Sequence, residues 1–266
     1  MLDKSLSKNM LSKNKIKFVK SLELKKNRTE TGLFVAEGEK IVPELLLSSL
    51  DVTYLAATSI WMEQNAHLPL TRCAETDIVS YDELKKISFL KTPQQVVCVA
   101  KIPTYPLRVS ELTNKLSLFL DTVQDPGNLG TILRIADWFG IEDVICSHET
   151  ADAFNPKVVQ STMGAITRVK VYYENLEEIL PEIKNCGIPI YGTTLNGENI
   201  YASELTSNGI IMMGNESKGI NSELMPYLNQ QLFIPFFPED QKRSESLNVG
   251  VATAIVCSEF RRRTGH

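Results

Sequence analysis

The stretch LSLFLDTV, residues 116–123, followed by DPGNLGTILRIADWFG, residues 125–140, decides the fold of this chain. The first part is an apolar run of the kind found in strands that are buried on both faces of a sheet. The second part is a Pro-Gly-Asn turn that leads into an amphipathic helix, with apolar side chains at helical spacing. A buried strand that turns directly into a helix predicts a βα unit of a parallel sheet.

The same alternation extends along the rest of the chain. After the opening unit, strand and helix patterns follow at 143–147, 155–166, 168–173, 175–187, 188–194, 209–214, 221–230, 231–237 and 246–263. Before it, they lie at 10–24, 34–38, 40–49, 52–58, 81–90 and 95–102. The proline-containing stretch KIPTYPLRVSEL at 101–112 is typical of a linker. We therefore predict an α/β chain with a small α/β domain and basic leader in 1–105, and a mostly parallel α/β domain in 112–266.

Composition excludes several classes of protein. With 266 residues, 43% hydrophobic and 23% charged, the chain has the mix of a soluble globular protein. It has no apolar run of the roughly 20 residues that span a bilayer, and its N-terminus has no apolar core of a signal peptide. The five cysteines are scattered without a C-x-x-C pair. We expect reduced thiols, no structural metal, no membrane segment and a cytoplasmic location.

Positive charge is concentrated at the two ends of the chain. Residues 1–28 carry nine Lys and Arg against two acids, although the whole chain has a net charge of −4. Arg261, Arg262 and Arg263 lie close to the C-terminus. A basic arm on an acidic body suits a partner with a phosphate backbone. A solvated leader and a frayed helix end explain the same charges equally well.

The first polar loop at a strand end holds Asn128 and Arg134. Asn128 has the chemistry of a helix N-cap. Arg134 interrupts the apolar stripe of the helix, four residues after Gly130. We expect Gly130 to leave room for a substrate over which Arg134 reaches. The alternative is an arginine that extends to solvent or pairs with Asp137.

Two further loops follow strands in the second half. MMGNESKGI, 212–220, places Glu216 between two glycines, where it can anchor an arginine. FIPFFPEDQKRSESLNVGVA, 233–252, places Ser246 and Asn248 at the start of the last helix. An ordinary turn and a simple helix cap are the alternatives. Since ligands bind at the carboxyl ends of parallel strands, we predict a site made from these loops. No dinucleotide or P-loop glycine fingerprint accompanies it.

Together the loops resemble the three motifs of the SpoU-type RNA 2′-O-ribose methyltransferases of the SPOUT superfamily. The matching segments are NLGTILR at 128–134, GNESKG at 214–219, and IPFF at 234–237 with SLNVGVA at 246–252. NPKVVQSTMGAITRV at 155–169 is similar to the middle segment of that family. NRTETGLFVAEGEKIV at 27–42 resembles the small RNA-binding domain that many members carry in front.

The resemblance implies a deep trefoil knot in the C-terminal domain, S-adenosylmethionine as cofactor, and a homodimer with its active site at the subunit interface. It implies transfer of a methyl group to a ribose 2′-OH of RNA, with ribosomal RNA as the expected substrate. The implied catalytic residues are Arg134, Asn128, Glu216, Ser246 and Asn248, with Glu216 positioning either Arg134 or Asn128. The implied cofactor contacts are Thr193, Thr194, Gly214, Ile234 and Leu247. The implied RNA contacts are Lys25, Lys26 and Arg28.

The chain departs from the family pattern at two places. Gly250 stands where many members carry serine, and the loop from Pro235 to Ser246 is longer than usual. Three other functions stay open at this point. They are a transfer RNA 2′-O-methyltransferase, a non-catalytic knotted protein of RNA binding or ribosome assembly, and a generic nucleotide-binding α/β enzyme.

Overall fold

The computed structural model of the chain describes residues 11–237 and 246–263. These residues divide into two compact units, of which the first comprises the described chain up to Thr104 together with Asp152–Arg168. The second comprises Tyr105–Ala151 and the described chain from Val169 onwards. None of the described helices is both long and apolar enough to cross a bilayer.

The elements alternate as the sequence patterns predict. Up to Thr104 they are α1 (Lys13–Ser21), α2 (Lys25–Thr31), β1 (Leu33–Glu37), α3 (Ile41–Leu47), β2 (Val52–Ala57), α4 (Ser59–Gln64), β3 (Glu75–Ile78), α5 (Tyr81–Ile87) and β4 (Val96–Lys101). After Thr104 they are β5 (Leu116–Leu120), α6 (Pro126–Trp138), β6 (Asp143–Cys146), α7 (Pro156–Thr162), β7 (Lys170–Tyr173), α8 (Leu176–Asn185), β8 (Ile190–Asn199), β9 (Gly209–Met213), β10 (Gln230–Phe233) and α9 (Val249–Arg263).

The first unit is built on a four-stranded sheet with the order β1-β4-β2-β3. Strand β4 runs antiparallel to β1 and β2, whereas β2 and β3 are parallel. Helix α7 packs on β1 as part of this unit. Beside it, the rings of Phe34 and Phe154 lie 5.0 Å apart between their centroids. The segment 152–168 thus contributes apolar packing to the unit that precedes it in the chain.

The second unit contains a parallel six-stranded sheet with the order β10-β8-β9-β5-β6-β7. Every residue of β5 and β9 is buried, as expected for central strands covered on both faces. Phe119, Ile145, Leu180, Ile190 and Met212 belong to one apolar core. The predicted parallel α/β sheet is therefore confirmed, and its carboxyl edge brings together the loops that follow β5, β8, β9 and β10.

Four elements differ from the prediction. The helix predicted over 221–230 is only a 3₁₀ turn at Met225–Tyr227. Pro226 has no N–H to donate, and its ring disfavours a continuing helix. Helices α2 and α4 and strand β3 were not predicted, because the two helices are about two turns long or shorter and the strand is a short edge strand with the sequence ETDI.

Candidate active site

Helix α6 begins one turn earlier than the predicted cap. Asp125, and not Asn128, is the N-cap, and its Oδ1 accepts the N–H of Asn128 at 2.8 Å. Pro126 occupies the first helical position, where its missing N–H costs nothing. The cap prediction for Asn128 is therefore wrong. As a consequence, the Asn128 side chain does not cap the helix, and its amide makes hydrogen bonds elsewhere.

Those contacts join the three sequence motifs. Asn128 donates from Nδ2 to Oε1 of Glu216 at 2.8 Å, and its Oδ1 accepts from Nδ2 of Asn248 at 2.9 Å. Asn248 in turn caps α9, because its Oδ1 accepts the N–H of Gly250 at 3.0 Å and that of Val251 at 3.2 Å. The amides of Asn128 and Asn248 are thereby fixed in orientation. One polar chain runs from Glu216 through Asn128 to Asn248.

The loop that carries Glu216 is tightly folded. Asn215 and Gly219 exchange two backbone hydrogen bonds of 2.9 Å, which close the loop around Glu216. Gly214 lies so near this return that a Cβ there would approach the backbone carbon of Gly219 to 2.2 Å. A residue with a side chain would push the loop apart. Gly214 is thus required by backbone packing at the end of β9.

Arg134 lies apart from this polar chain. It follows Asn128 by six residues on α6, which places it about 9 Å further along the axis and about 120° around the helix. It is exposed, whereas Gly130 is buried, so the two do not share the open face that the sequence suggested. In the described part of the chain Arg134 has no hydrogen bond or ion pair, with Glu216, Asp137 or any other residue. Glu216 thus contacts Asn128 and not Arg134.

The residues predicted to bind the cofactor lie at neighbouring strand ends. Gly214 directly follows β9, and Ile234 directly follows β10. Thr193 and Thr194 lie in β8, where the pairing with β10 is interrupted between Gly192 and Glu198. Thr193 donates its hydroxyl to the carbonyl of Met212 at 3.1 Å. The segment 193–197 therefore forms a bulge at the edge where β8, β9 and β10 lie side by side.

Leu247 and Ser246 precede the cap of α9. Leu247 is 50% exposed and is next to Asn248 in the chain, so an apolar surface adjoins the polar chain. Ser246 is exposed. A cleft of about 370 Å³ runs along the bulge and is lined by residues 196–198 and 228–231. Within residues 11–237 and 246–263, no three His, Cys, Asp or Glu side chains are grouped as metal ligands would be.

Arg28 is not available to RNA, so this prediction is wrong. Its side chain is 2% exposed, and Nε and Nη2 donate to Oδ2 of Asp152 at 3.0 and 2.5 Å. Nη1 donates to the carbonyls of Leu22 and Glu23, both at 2.7 Å. All three nitrogens of this buried guanidinium donate hydrogen bonds within the first unit, and these bonds stabilise that unit. Lys26, by contrast, is 81% exposed and lies 3.8 Å from Glu30.

Other basic residues of the same N-terminal segment are exposed, among them Lys25, which was predicted to contact RNA, and Lys13 and Lys17, which were not singled out. Lys13, Lys17 and Phe18 are exposed on α1, and Lys25 is exposed at the start of α2. The spacing of Lys13 and Lys17, four residues apart on a helix, is the signal that identifies a common face. We call Lys13, Lys17, Lys25 and Lys26 the basic corner.

The arginines near the C-terminus form neither an open arm nor a frayed end. Arg261 donates from Nε to the carbonyl of Phe139 at 2.7 Å and from Nη2 to that of Gly140 at 3.0 Å. Arg263 donates to the carbonyls of Ile200, Tyr201 and Ser203. These contacts join the end of α9 to the end of α6 and to the loop after β8. Arg261 and Arg263 therefore stabilise the fold of the second unit.

The fold and the site define a class of α/β protein with a parallel sheet and a polar, glycine-containing site at its carboxyl edge. Two family models match the chain: the SpoU rRNA methylase family over residues 115–258, and the MRM3-like substrate binding domain over residues 13–98. This chain belongs to the SpoU rRNA methylase family. The resemblance drawn from the three motifs is thereby confirmed.

Individual relatives match over almost the whole chain. The 23S rRNA (guanosine(2553)-2′-O)-methyltransferase RlmP of Bacillus subtilis is 34% identical over 93% of this chain and 96% of its own length. A TrmH-family structure from Porphyromonas gingivalis is 38% identical, with a TM-score of 0.86, over 96% of this chain and 100% of that one. An AdoMet-bound rRNA methyltransferase structure from Sinorhizobium meliloti is 30% identical, with a TM-score of 0.85, over 96% and 97%.

Proposed function

We propose that this protein transfers a methyl group from S-adenosylmethionine to a ribose 2′-OH of ribosomal RNA. The observation that carries the proposal is the hydrogen-bonded chain Glu216–Asn128–Asn248, which unites the three motif loops at the carboxyl edge of the sheet. Membership of the SpoU family and the similarity to RlmP, which is named for 2′-O-methylation of a guanosine in 23S rRNA, support the reaction and the substrate.

The residues at the strand ends fit S-adenosylmethionine. The bulge at 193–197 and the turns that begin at Gly214 and Ile234 offer backbone groups at three neighbouring strand ends, and Leu247 adds exposed apolar surface. Apolar walls with a few polar backbone groups suit an adenosine. Thr193, Thr194, Gly214, Ile234 and Leu247 would hold the cofactor, which supplies an electrophilic methyl group. The AdoMet-bound relative from Sinorhizobium meliloti supports this choice.

Asn128 is proposed to orient the ribose. An asparagine amide has two N–H donors, and its oxygen has two lone pairs. Glu216 takes one donor and Asn248 takes one lone pair. One N–H and one lone pair are left for a ribose hydroxyl, in an orientation that Glu216 fixes. Holding the hydroxyl in line with the methyl group supplies much of the rate through proximity.

Arg134 is proposed to stabilise charge on the reacting ribose. A 2′-OH is a weak nucleophile, and negative charge develops on its oxygen during transfer. A guanidinium stays protonated, so it cannot act as the base. It can bind the developing alkoxide or the adjacent phosphate, as a preorganised electrostatic group. Because Arg134 lies about 120° around α6 from Asn128, the two side chains of one chain point to different sides of the helix.

We further propose that the site is completed in a homodimer. Within one chain, Arg134 is on a different side of α6 from Asn128. Arg134 shares its exposed stripe with Trp138, which is 85% exposed, and Val251 on the packed helix α9 is 50% exposed. A tryptophan this exposed beside Arg134 offers apolar area that a second copy could cover. A second copy seated on this surface brings its Arg134 towards the polar chain of the first.

The basic corner is proposed to bind the phosphates of the RNA. Lys13, Lys17, Lys25 and Lys26 provide cations, and Phe18, which is 41% exposed, offers a ring for stacking. Membership of the family supports the C-terminal knot. The five free cysteines support the cytoplasmic location proposed from the sequence.

The test is methyl transfer from radiolabelled S-adenosylmethionine to RNA from a strain that lacks this protein. We expect wild type to label ribosomal RNA. Arg134→Ala should bind the cofactor normally and lose at least ~100-fold in transfer, the scale for one electrostatic donor. Arg108→Ala is the matched control, because Arg108 is a 67% exposed arginine of the same unit that pairs with Glu111.

Three outcomes would contradict parts of the proposal. Full turnover by Arg134→Ala would remove Arg134 from the mechanism. Label in transfer RNA alone would replace the substrate but keep the reaction. Absence of both label and cofactor binding in wild type would favour the non-catalytic RNA-binding function.

A further inference from the structure

The turn that follows β5 is held by side chains from two other loops. Asp121, the first residue after the strand, is 5% exposed, and its N–H donates to the carbonyl of Met213 at 2.9 Å. Its Oδ2 accepts the N–H of Asn221 at 2.6 Å, and its Oδ1 accepts the hydroxyl of Thr122 at 3.0 Å. A buried carboxylate is costly unless its oxygens are hydrogen-bonded, and here both are.

Thr122 is strained and is held from both sides. Its φ of 57° lies in the left-handed region, which a β-branched residue rarely adopts. Its N–H donates to Oγ of Ser147 at 3.0 Å, and its carbonyl accepts from Nδ2 of Asn215 at 2.8 Å. Such a conformation is unfavourable and persists only where the surroundings impose it. Asp121, Ser147 and Asn215 are those surroundings.

Asn215 also shapes the loop that carries Glu216. Its Oδ1 accepts the N–H groups of Ser217 at 3.0 Å and Lys218 at 3.1 Å, while its Nδ2 reaches Thr122. The loop containing Glu216 is therefore tied to the turn after β5 on one side by Asn215. On the other side, Asn221 ties it to the same turn through Asp121.

We propose that Asp121 and Asn215 are positioning residues that set the 2.8 Å contact between Asn128 and Glu216. The turn at 121–123 leads directly into the start of α6, which carries Asn128. The same turn is the anchor for both sides of the Glu216 loop. The two partners of the active-site hydrogen bond therefore take their relative position from one small turn. This inference rests on the proposed methyl transfer, in which Asn128 orients the ribose.

The test compares Asp121→Ala, Asp121→Asn and Asn215→Asp, well below their melting temperatures. Asp121→Ala removes both acceptors and should lower kcat by ~10–100-fold, the scale for a misplacement of about 1 Å. KM for RNA and for cofactor should stay close to wild type. Asp121→Asn should recover most of the loss, since its oxygen still accepts from Asn221 and the Thr122 hydroxyl can reverse its role.

Asn215→Asp isolates the other tie. It keeps an acceptor for the N–H groups of Ser217 and Lys218 but cannot donate to the carbonyl of Thr122. It should therefore also lower kcat, whatever the fate of Asp121→Ala in folding. Asp143→Ala is the matched control. Asp143 is a 4% exposed carboxylate at the start of β6, at the amino end of the strands and away from the site, and it accepts hydrogen bonds from Tyr172 and Lys115. It should lower the melting temperature and leave kcat unchanged.

A structure of Asp121→Ala separates this inference from the proposed function. We expect the distance from Nδ2 of Asn128 to Oε1 of Glu216 to exceed hydrogen-bonding range. Retention of the wild-type distance, or a wild-type kcat with only a lower melting temperature, would overturn the positioning role. A wild-type protein that methylates no RNA would overturn the proposed reaction, while the distance in the variant would still decide whether the turn sets the contact.

Discussion

Gly250, where the motif led us to expect a serine, is closely packed against two neighbouring side chains. A Cβ at this position would lie 3.2 Å from Cγ2 of Thr131 and 3.2 Å from Oδ1 of Asn248. Neither neighbour is free to move. Thr131 donates its hydroxyl to the carbonyl of Gly127 at 2.8 Å, and Asn248 caps α9. Thr131 thus fills the space in which a serine at 250 would place its side chain.

We expect Gly250→Ser to destabilise the protein by about 1 kcal/mol. Overpacking costs about 1–3 kcal/mol, and the better helix propensity of serine offsets only ~0.5 kcal/mol of it. Thr131→Ser in the same chain removes the crowding methyl group but keeps the hydroxyl, so the double variant should regain part of the loss. Urea unfolding of the four proteins measures the coupling. A double variant no more stable than Gly250→Ser would contradict the packing argument.

Several site residues could be predicted individually, but their contacts could not. The dipeptide Asp125-Pro126 marks the start of α6, because aspartate favours the N-cap and proline the first helical position. That signal would have corrected the cap assigned to Asn128. The hydrogen bond from the N–H of Asn221 to Asp121 joins residues 100 positions apart, and no local sequence pattern predicts it. Likewise, nothing in the basic leader distinguishes the buried Arg28 from the exposed Lys26.

At the scale of elements, the end of α9 depends on one buried carboxylate. Glu259 is 5% exposed and accepts from Nε and Nη2 of Arg262 and from Nε of Arg263, at 2.6 to 2.8 Å. Hydrogen bonds from Arg262, and then from Arg263, lower the pKa of Glu259 to about 2. Arg263 also reaches the loop after β8, so the carboxylate supports the anchor of the helix.

The pKa of Glu259 predicts a pH-dependent contribution to stability. Because the pKa in the folded state is lowered, the contribution is fully present above the ordinary value of 4.5 and is lost as the pH falls towards about 2. Wild type should be more stable than Glu259→Gln by about 2 kcal/mol at pH 6, with allowance for the exposure of Arg262. Most of the difference should be lost by about pH 2, where Glu259 in wild type is half protonated, and the rest should be lost below it.

Unfolding of the two proteins by denaturant across this range measures the difference. Glu178→Gln is a suitable control, since Glu178 is an exposed glutamate near the start of α8. A stability difference between wild type and Glu259→Gln that does not change with pH would show that the ion pairs with Arg262 and Arg263 contribute nothing.

The strength of the periodic pattern decided which elements were predictable. Strands β5 and β9 are continuous apolar runs in the middle of the sheet, and helix α6 has a full apolar stripe. Strand β3 is polar and lies at an edge, so it has no such pattern. The turn at Met225–Tyr227 shows the opposite error, because the apolar spacing favoured a helix that Pro226 prevents. Periodicity therefore predicts the centre of each unit better than its margins.

At the scale of the whole molecule, the proposed homodimer makes a testable claim about which chain supplies each residue of the active site. Sequence motifs identify Asn128 and Arg134 but do not indicate which chain supplies each one to a given site. The described contacts join Asn128 to Glu216 and Asn248 within one chain and leave Arg134 outside that group. Arg134 instead shares an exposed stripe with Trp138. A shared site requires that two inactive variants complement each other.

We expect Asn128→Ala and Arg134→Ala, each inactive alone, to form active mixed dimers when they are co-expressed with different affinity tags. In a mixed dimer, one site receives both substitutions and the other receives neither. If the two variants pair at random, about half of the dimers are mixed, and the unfractionated protein should reach roughly a quarter of wild-type activity. If both residues served the site of their own chain, every site would carry one substitution and no activity would return. Adding Trp138→Glu to both variants should abolish the complementation, because a charge at the centre of an apolar contact opposes its burial.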